Sequence, residues 1–340
     1  MSDRRLPKEI ELSIDRSLAK PTRIHKVATP SASQLWIKRE DELSSGISGG
    51  KVRKYASLIP YLKQNGIDLV GMIGGPNSNN LVGLAQLLKE NQISPFAFVR
   101  EAAAPNIHGN ALLLAMLLSE EERMLIPRDK WDAVEKIASE VLQQRESRGQ
   151  HTHLLREGCF GVPALLGSLT LAEDILRNES ELGRAFDRIY IDCGTGLSAI
   201  GLVLGLQMLL GEAAIEREIV ITLIAETEAR FLEKLNSIKM QLHALYPIAA
   251  YKQANLRFLK PVLSPRFGSV NKSLFQSCCN VARESGMLMD PTYSAKHFAT
   301  ALQDQASAKA PLLSLFVFNG SALGLMGFQD QIARSSMEGI

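Results

Sequence analysis

The chain has 340 residues, 46% hydrophobic and 22% charged, which is the make-up of an ordinary globular protein with length for one large or two smaller cores. A formal net charge of +2 with both signs interspersed gives no electrostatic ground for a nucleic-acid partner. Residues 1–9 carry acids and no apolar core, and the most apolar run, residues 197–210, is too short to span a bilayer comfortably and contains Gln207, so neither a secretory signal nor a membrane partner is expected. Cys159, Cys193, Cys278 and Cys279 form no C-x-x-C motif or disulfide framework, which suits a reducing cytoplasm. The histidines show no metal-site spacing, and the pair His151 and His153 reads as a strand start, so no metal is expected.

Residues 1–34 read as an irregular lead-in broken by Pro7, Pro21 and Pro30, followed by a short strand at 35–39 and a polar turn at 40–46. Ser48-Gly49-Gly50-Lys51-Val52-Arg53-Lys54 then sets a side-chain-free bend directly before a lysine. Apolar spacing at Val52, Tyr55, Ala56, Leu58, Ile59 and Leu62 predicts a helix that Pro60 should kink or interrupt. A lysine at such a junction lies near the positive end of a helix dipole, which favours the neutral amine that Schiff-base chemistry requires. Lys54, one turn on, is placed to grip an anion. The same residues also suit a glycine turn leading into a solvated basic helix.

Strand, small-polar loop and helix then recur. Residues 69–73 are a buried strand that ends in Gly74-Gly75-Pro76-Asn77-Ser78-Asn79-Asn80 and resumes as a helix over 81–90. Ser78 and the N–H groups of Asn79 and Asn80 suit a substrate carboxylate, with plain N-capping as the alternative. Strands at 95–99 and 124–126 alternate with helices at 106–118 and 129–144, the latter opened by Asp129 as an N-cap. Residues 153–155 lead through a Gly158/Gly161 loop to a helix over 162–177. Strand 188–192 is followed by Cys193-Gly194-Thr195-Gly196-Leu197-Ser198 and a helix over 199–210. That loop suits a phosphate held by backbone N–H groups, although it lacks the Walker lysine and the dinucleotide spacing, and a bare turn would read alike. A strand at 218–225, helices at 228–242 and 273–284, the rigid turn Asp290-Pro291-Thr292-Tyr293-Ser294, and a last strand over 312–318 follow, and Asn319-Gly320-Ser321 ends that strand and opens a final helix. The order predicts an α/β fold of mostly parallel sheets with helices on both faces and ligands at the strands' carboxyl ends.

Lys38-Arg39-Glu40-Asp41 followed by Gly49-Gly50-Lys51-Val52-Arg53-Lys54 resembles the KRED…GGNKxRK signature of the 1-aminocyclopropane-1-carboxylate deaminase and D-cysteine desulfhydrase family. The 74–80 loop is similar to its GGxQSNQ/H loop, residues 194–198 lie where it has a phosphate loop, and Asp290 to Lys296 resembles DPVYTGKA. The resemblance implies a tryptophan-synthase-β-like enzyme of pyridoxal phosphate fold type II. It implies two domains, a large cofactor-binding one (1–51 plus 162–340) and a smaller one (52–161) that closes on substrate. By the same resemblance Lys51 carries the cofactor as a Schiff base and moves the Cα proton. Lys54 and Gly194, Thr195, Gly196, Leu197 and Ser198 hold the phosphate. Asn79 bonds the 3′-oxygen, and Ser294 and Asn319 lie on the cofactor's side. Ser78 with Asn79 and Asn80 takes the substrate carboxylate, and Tyr293 stands at the reacting carbon. A homodimer is implied as well.

Departures from the pattern bear on substrate. Gly50 replaces the family's asparagine before the lysine, Phe267 its second active-site tyrosine, Asn319 the desulfhydrase's threonine, and Ala102 a tryptophan of the deaminase. Ser294 is closer to the desulfhydrase's threonine than to the deaminase's glutamate, and a hydroxyl facing the pyridine nitrogen would leave it largely unprotonated. Ser294 and Ala102 disfavour the deaminase and leave β-elimination from a small amino acid, with D-cysteine leading, while Gly50, Phe267 and Asn319 depart from the whole family and keep a cofactor-binding protein with little catalysis in view. Aminocyclopropane carboxylate deamination and a cofactor-binding protein with little catalysis are the alternatives, and a nucleotide-binding dehydrogenase fits least.

Overall fold

Why the polar loops of this chain meet is a matter of strand order in two sheets. The computed structural model describes residues 4–27, 34–43, 49–102, 108–246, 254–320 and 322–337. Pro30, residues 44–46 of the polar turn, Ser48, the expected helix start at Asn106, and Ser321 lie outside the described residues.

The lead-in is more ordered than its prolines suggest, with a short helix α1 (Lys8–Glu11) and a strand β1 (Ile24–Lys26) antiparallel to β2 (Leu35–Lys38). Helix α2 (Val52–Gln64) continues through Pro60, so of the expected kink or interruption the interruption does not occur. The Ala56 carbonyl, which Pro60 leaves without its helical donor, accepts instead from the Asp15 N–H at 2.7 Å. A tertiary bond thus replaces the local one.

The smaller sheet comes from one continuous stretch. Strand β3 (Leu69–Gly74), buried along its length, leads to α3 (Asn79–Glu90), whose first turn is capped by Ser78 Oγ accepting from Leu81 N. β4 (Ser94–Arg100), α4 (Asn110–Leu117), β5 (Arg123–Ile126), α5 (Val134–Glu146) and β6 (Thr152–Leu155) follow. Asp129 does not open α5, because Arg128–Ala133 forms a 3-10 turn and the α-helix begins only at Val134. The order is β5-β4-β3-β6, all parallel.

The larger sheet draws on both ends of the chain. Its remaining elements are α6 (Val162–Ser168), α7 (Thr170–Leu182), β7 (Arg188–Cys193), α8 (Leu197–Leu210), β8 (Glu218–Leu223), α9 (Glu228–Leu245), β9 (Asn255–Leu259), α10 (Lys272–Ser285), α11 (Ser294–Ala306), β10 (Ser314–Val317) and α12 (Gln329–Met337). One expected helix over 162–177 is two, β9 and α11 have no counterpart in the sequence pattern, and the helix expected after residue 321 begins as a 3-10 turn over Ala322–Phe328 before α12. The order is β1-β2-β10-β7-β8-β9, with β10 lying parallel between β2 and β7.

Helix α8 is apolar all round and forms the centre of the main core, as a helix without a polar face must. A Cβ on its Gly201 would come within 2.4 Å of Ser168, so glycine permits that close approach to α6. With the turn that follows it, Leu197–Glu216 is long and apolar enough by composition to cross a membrane, longer than the sequence reading allowed. Here it packs as a core helix.

Parallel strands place their carboxyl ends together. The segments after β2, β10 and β7 therefore converge, bringing Gly49–Lys51, Asn319 and Gly194–Gly196 to one place, and the ends of β3, β4 and β6 bring the 75–80 loop, Arg100 and Glu157 opposite.

Candidate active site

Lys51 is held by a buried ionic network on its chain-neighbours. Lys38, fully buried at the end of β2, donates to Asp174 Oδ2 at 2.5 Å, Asn178 Oδ1 at 2.6 Å and the Thr22 carbonyl at 2.8 Å. Arg53, two residues past Lys51, grips Glu40 with Nε and a terminal nitrogen at 2.5 and 2.7 Å. It also reaches Asp174 at 2.7 Å and Thr170 at 3.0 Å. Flanking cations hold the Asp174 carboxyl down at about 2 despite its burial. Lys38 is pushed down to about 8, because burial outweighs what its acidic partners return. The KRED-like residues are thus a structural clamp on the loop between β2 and α2. The sequence reading gave them no such role.

The clamped loop presents Lys51 as the residue that opens α2. Its amine is pushed below the ordinary lysine range by burial, with Asp192 and Asp290 opposing. That is the direction expected from the sequence, but burial is the main cause rather than the helix dipole. Lys51 lines a cavity of about 580 Å³.

At one end of that cavity lies the start of α8. Gly196, at φ +100, occupies the N-cap and supplies no side chain, so the first N–H groups of a 14-residue helix are left for a ligand. Lys54 sits there with its ammonium 3.4 Å from the Gly158 carbonyl and is pushed down to about 8 by burial and by Lys51. Gly194, Thr195, Gly196 and Ser198 all line the cavity. Leu197 does not: its side chain is fully buried in the core, because the helix turns it inward, and only its backbone can serve an anion. A dianionic phosphate fits a free helix N-terminus beside a buried lysine that an anion would recharge.

At another side lies the 75–80 loop. Ser78 Oγ is engaged by the Leu81 N–H at 3.2 Å, and Asn79 Oδ1 accepts from Asn110 Nδ2 at 2.7 Å. The Asn80 side chain turns inward, taking a bond from the Tyr55 hydroxyl at 3.1 Å and giving one to Cys159 Sγ at 3.2 Å. Its contribution to a ligand is therefore its backbone N–H.

Tyr293 and Ser294 come from the turn before α11. Asp290 organises that turn, accepting from the N–H groups of Thr292 and Tyr293 at 2.9 and 2.8 Å and from Ser294 Oγ at 2.7 Å. An ionised carboxylate has no proton to give, so the Ser294 hydroxyl donates to it and turns lone pairs elsewhere. The resemblance implies a hydroxyl facing the pyridine nitrogen, and Ser294 lines the cavity with its own proton directed to Asp290. Tyr293 is held neutral by burial and by Asp290, Asp192 and Glu157, which raise its pKa. Phe267 lies at the mouth, 53% exposed, its ring 6.0 Å from that of Tyr293. Lys296, buried in α11, fixes that mouth by donating to the carbonyls of Ser264 and Arg266 at 2.7 and 3.0 Å.

Several lining residues escaped the sequence reading: Asp192, Asp290, Asn110, Arg100, Arg128 and Glu157. Asp192 and Asp290 stood inside segments already read as a strand and a turn, and a stop in an apolar run with an acid at its end was the only available signal. Among the described residues no cluster of His, Cys, Asp or Glu could hold a metal ion.

Two mostly parallel sheets with helices on both faces are the architecture that this chain shares with enzymes of pyridoxal phosphate fold type II. A solved structure of an ACC deaminase homologue matches over 97% of this chain and 100% of that one, with a TM-score of 0.82 at 20% identity. The chain is a distant relative of the 1-aminocyclopropane-1-carboxylate deaminase and D-cysteine desulfhydrase family. It is 23% identical over 308 residues to a D-cysteine desulfhydrase of Serratia proteamaculans, covering 88% of this chain and 90% of that one. It is 27% identical over 295 residues to a 1-aminocyclopropane-1-carboxylate deaminase of Variovorax paradoxus, covering 81% and 84%. No family model matches the sequence.

Proposed function

We propose that this protein is a pyridoxal-phosphate-dependent lyase that removes a leaving group from Cβ of a small amino acid, with D-cysteine as the substrate. One observation carries the reading. A buried, deprotonation-prone Lys51 shares a single cavity with a free helix N-terminus beside Lys54 and with Ser78 at the start of α3.

When bound, the cofactor supplies an electron sink at the substrate's Cα. The α8 N-terminus and Lys54 hold the phosphate. Ser78 with the N–H groups of Asn79 and Asn80 binds the substrate carboxylate and fixes which Cα face Lys51 reaches. Lys51, kept low in proton affinity, takes the Cα proton, and neutral Tyr293 gives a proton to sulfur as the Cβ–S bond breaks. With one water the products are pyruvate, ammonia and sulfide. Ser294 brings no carboxylate to the ring nitrogen, which speaks against ring-opening of aminocyclopropane carboxylate.

We further read residues 52–161 as a unit that closes on residues 1–51 plus 162–340, in a cytoplasmic homodimer. The activity is tested by incubating protein and pyridoxal phosphate with D-cysteine, L-cysteine or aminocyclopropane carboxylate. Pyruvate and sulfide in equal amounts from D-cysteine alone are expected, whereas ketobutyrate from the cyclopropane would move the chain to the deaminase reaction.

A further inference from the structure

Two residues beside Lys51 depart from the family pattern, Gly50 and Asn319, and they touch. A Cβ built on Gly50 would lie 2.5 Å from Asn319 Oδ1, well inside any tolerable contact. Asn319 is not free to yield. Its backbone carbonyl accepts from Gly50 N at 3.3 Å and would lie 2.7 Å from a Cβ on Gly49, and its Nδ2 donates to Asp192 Oδ1 at 2.9 Å. Asp192 stands at the end of β7, in the cavity wall, and its charge acts on Lys51. Asp192 acts on Lys51 through its charge alone, with no hydrogen bond between them. A carboxylate so near a buried ammonium would ordinarily close onto it and keep it protonated.

We propose that Asn319 is a positioning residue whose amide holds the Asp192 carboxylate away from Lys51, and that residue 50 is glycine because that amide occupies the space of its side chain. Gly50, Asn319 and Asp192 then act as one unit that leaves Lys51 available as a free amine. The other charged or titratable groups facing Lys51 are Lys54 on α2 and Asp290 and Tyr293 on the turn before α11. Asp290 is already occupied by Thr292, Tyr293 and Ser294, so Asp192 is the acid that needs a restraint. The inference rests on the reading of Lys51 as the reactive amine.

Its test uses the full chain without added cofactor, so it fails separately from the proposed activity. Lys51 is labelled with an amine-reactive reagent across a pH series, and the Lys51 peptide is quantified by mass spectrometry. Asn319→Ala and the milder Asn319→Ser should both move the labelling midpoint up by about one pH unit, cutting labelling at neutral pH about tenfold. Adding Asp192→Asn to either should return the midpoint to the wild-type value or below. Gly50→Ala should behave like Asn319→Ala, since its Cβ displaces the amide. An unchanged or lowered midpoint in a folded Asn319 variant, or an upward shift that survives Asp192→Asn, would overturn the proposal.

Discussion

Replacing Arg53 by methionine asks whether the buried clamp holds the lysine loop. Arg53 is 2% exposed and Glu40 fully buried, so water cannot take over the bonds that are lost. The variant removes two bonds to Glu40 and one each to Asp174, Thr170 and the Lys20 carbonyl, while methionine keeps most of the volume. Asp174 retains Lys38 and Arg177, but among the described residues Glu40 keeps only the Thr22 hydroxyl at 2.7 Å. Breaking a buried ion pair from one side costs about 3–5 kcal/mol. At roughly 2 °C per kcal/mol for a chain of this size, Tm at neutral pH should fall by about 6–10 °C. The pH dependence has a definite sign. A lone buried carboxylate is relieved by a proton, so the deficit should be full at neutral pH and shrink as pH falls towards about 4. Wild-type Asp174, held at about 2, contributes its stability above the ordinary carboxylate range and loses it only as pH falls through that low value. Thermal unfolding followed by circular dichroism at several pH values is the assay. A Tm loss under about 2 °C, or one independent of pH, would refute the view that this network fixes the loop.

Lys54 at about 8 implies that inorganic phosphate binds tightly below that pH and progressively more weakly above it, which calorimetric titration at pH steps reads directly. Gly158→Ala would set a Cβ 2.0 Å from Thr195 Oγ1 at a φ of +74, so it should cost about 1–3 kcal/mol and weaken phosphate binding, measured by denaturant unfolding and the same titration. Phe267→Tyr restores a hydroxyl at the exposed mouth beside Tyr293 and should raise kcat/KM on D-cysteine with no change in Tm; an unchanged rate would place residue 267 outside the reaction.

What the sequence disclosed was local. The lysine loop, the 75–80 loop and the 194–198 loop each follow an apolar run and open a helix, and each reaches the cavity. Partners far apart in the chain left no trace: Lys38 and Asp174 are separated by 136 positions and Arg53 and Asp174 by 121. Helix α11 was missed because Lys296, His297 and Thr300 are polar yet buried, which blurs its apolar stripe. The prediction of a break at Pro60 followed a sound local rule that the Asp15 N–H overrode from outside the helix. Asp192 was visible as a strand end, but its tie to Asn319 depends on β10 inserting beside β7, which no spacing announces.

The central claim is that Lys51 is the residue that carries pyridoxal phosphate. Loading the protein with the cofactor, reducing it with borohydride and mapping the peptides tests that most directly. The account predicts one modified site, Lys51, with a visible absorption band before reduction that D-cysteine perturbs, and neither in Lys51→Ala. Cofactor fixed instead to Lys54 or to surface lysines, or a folded Lys51→Ala protein that still turns over D-cysteine, would contradict it.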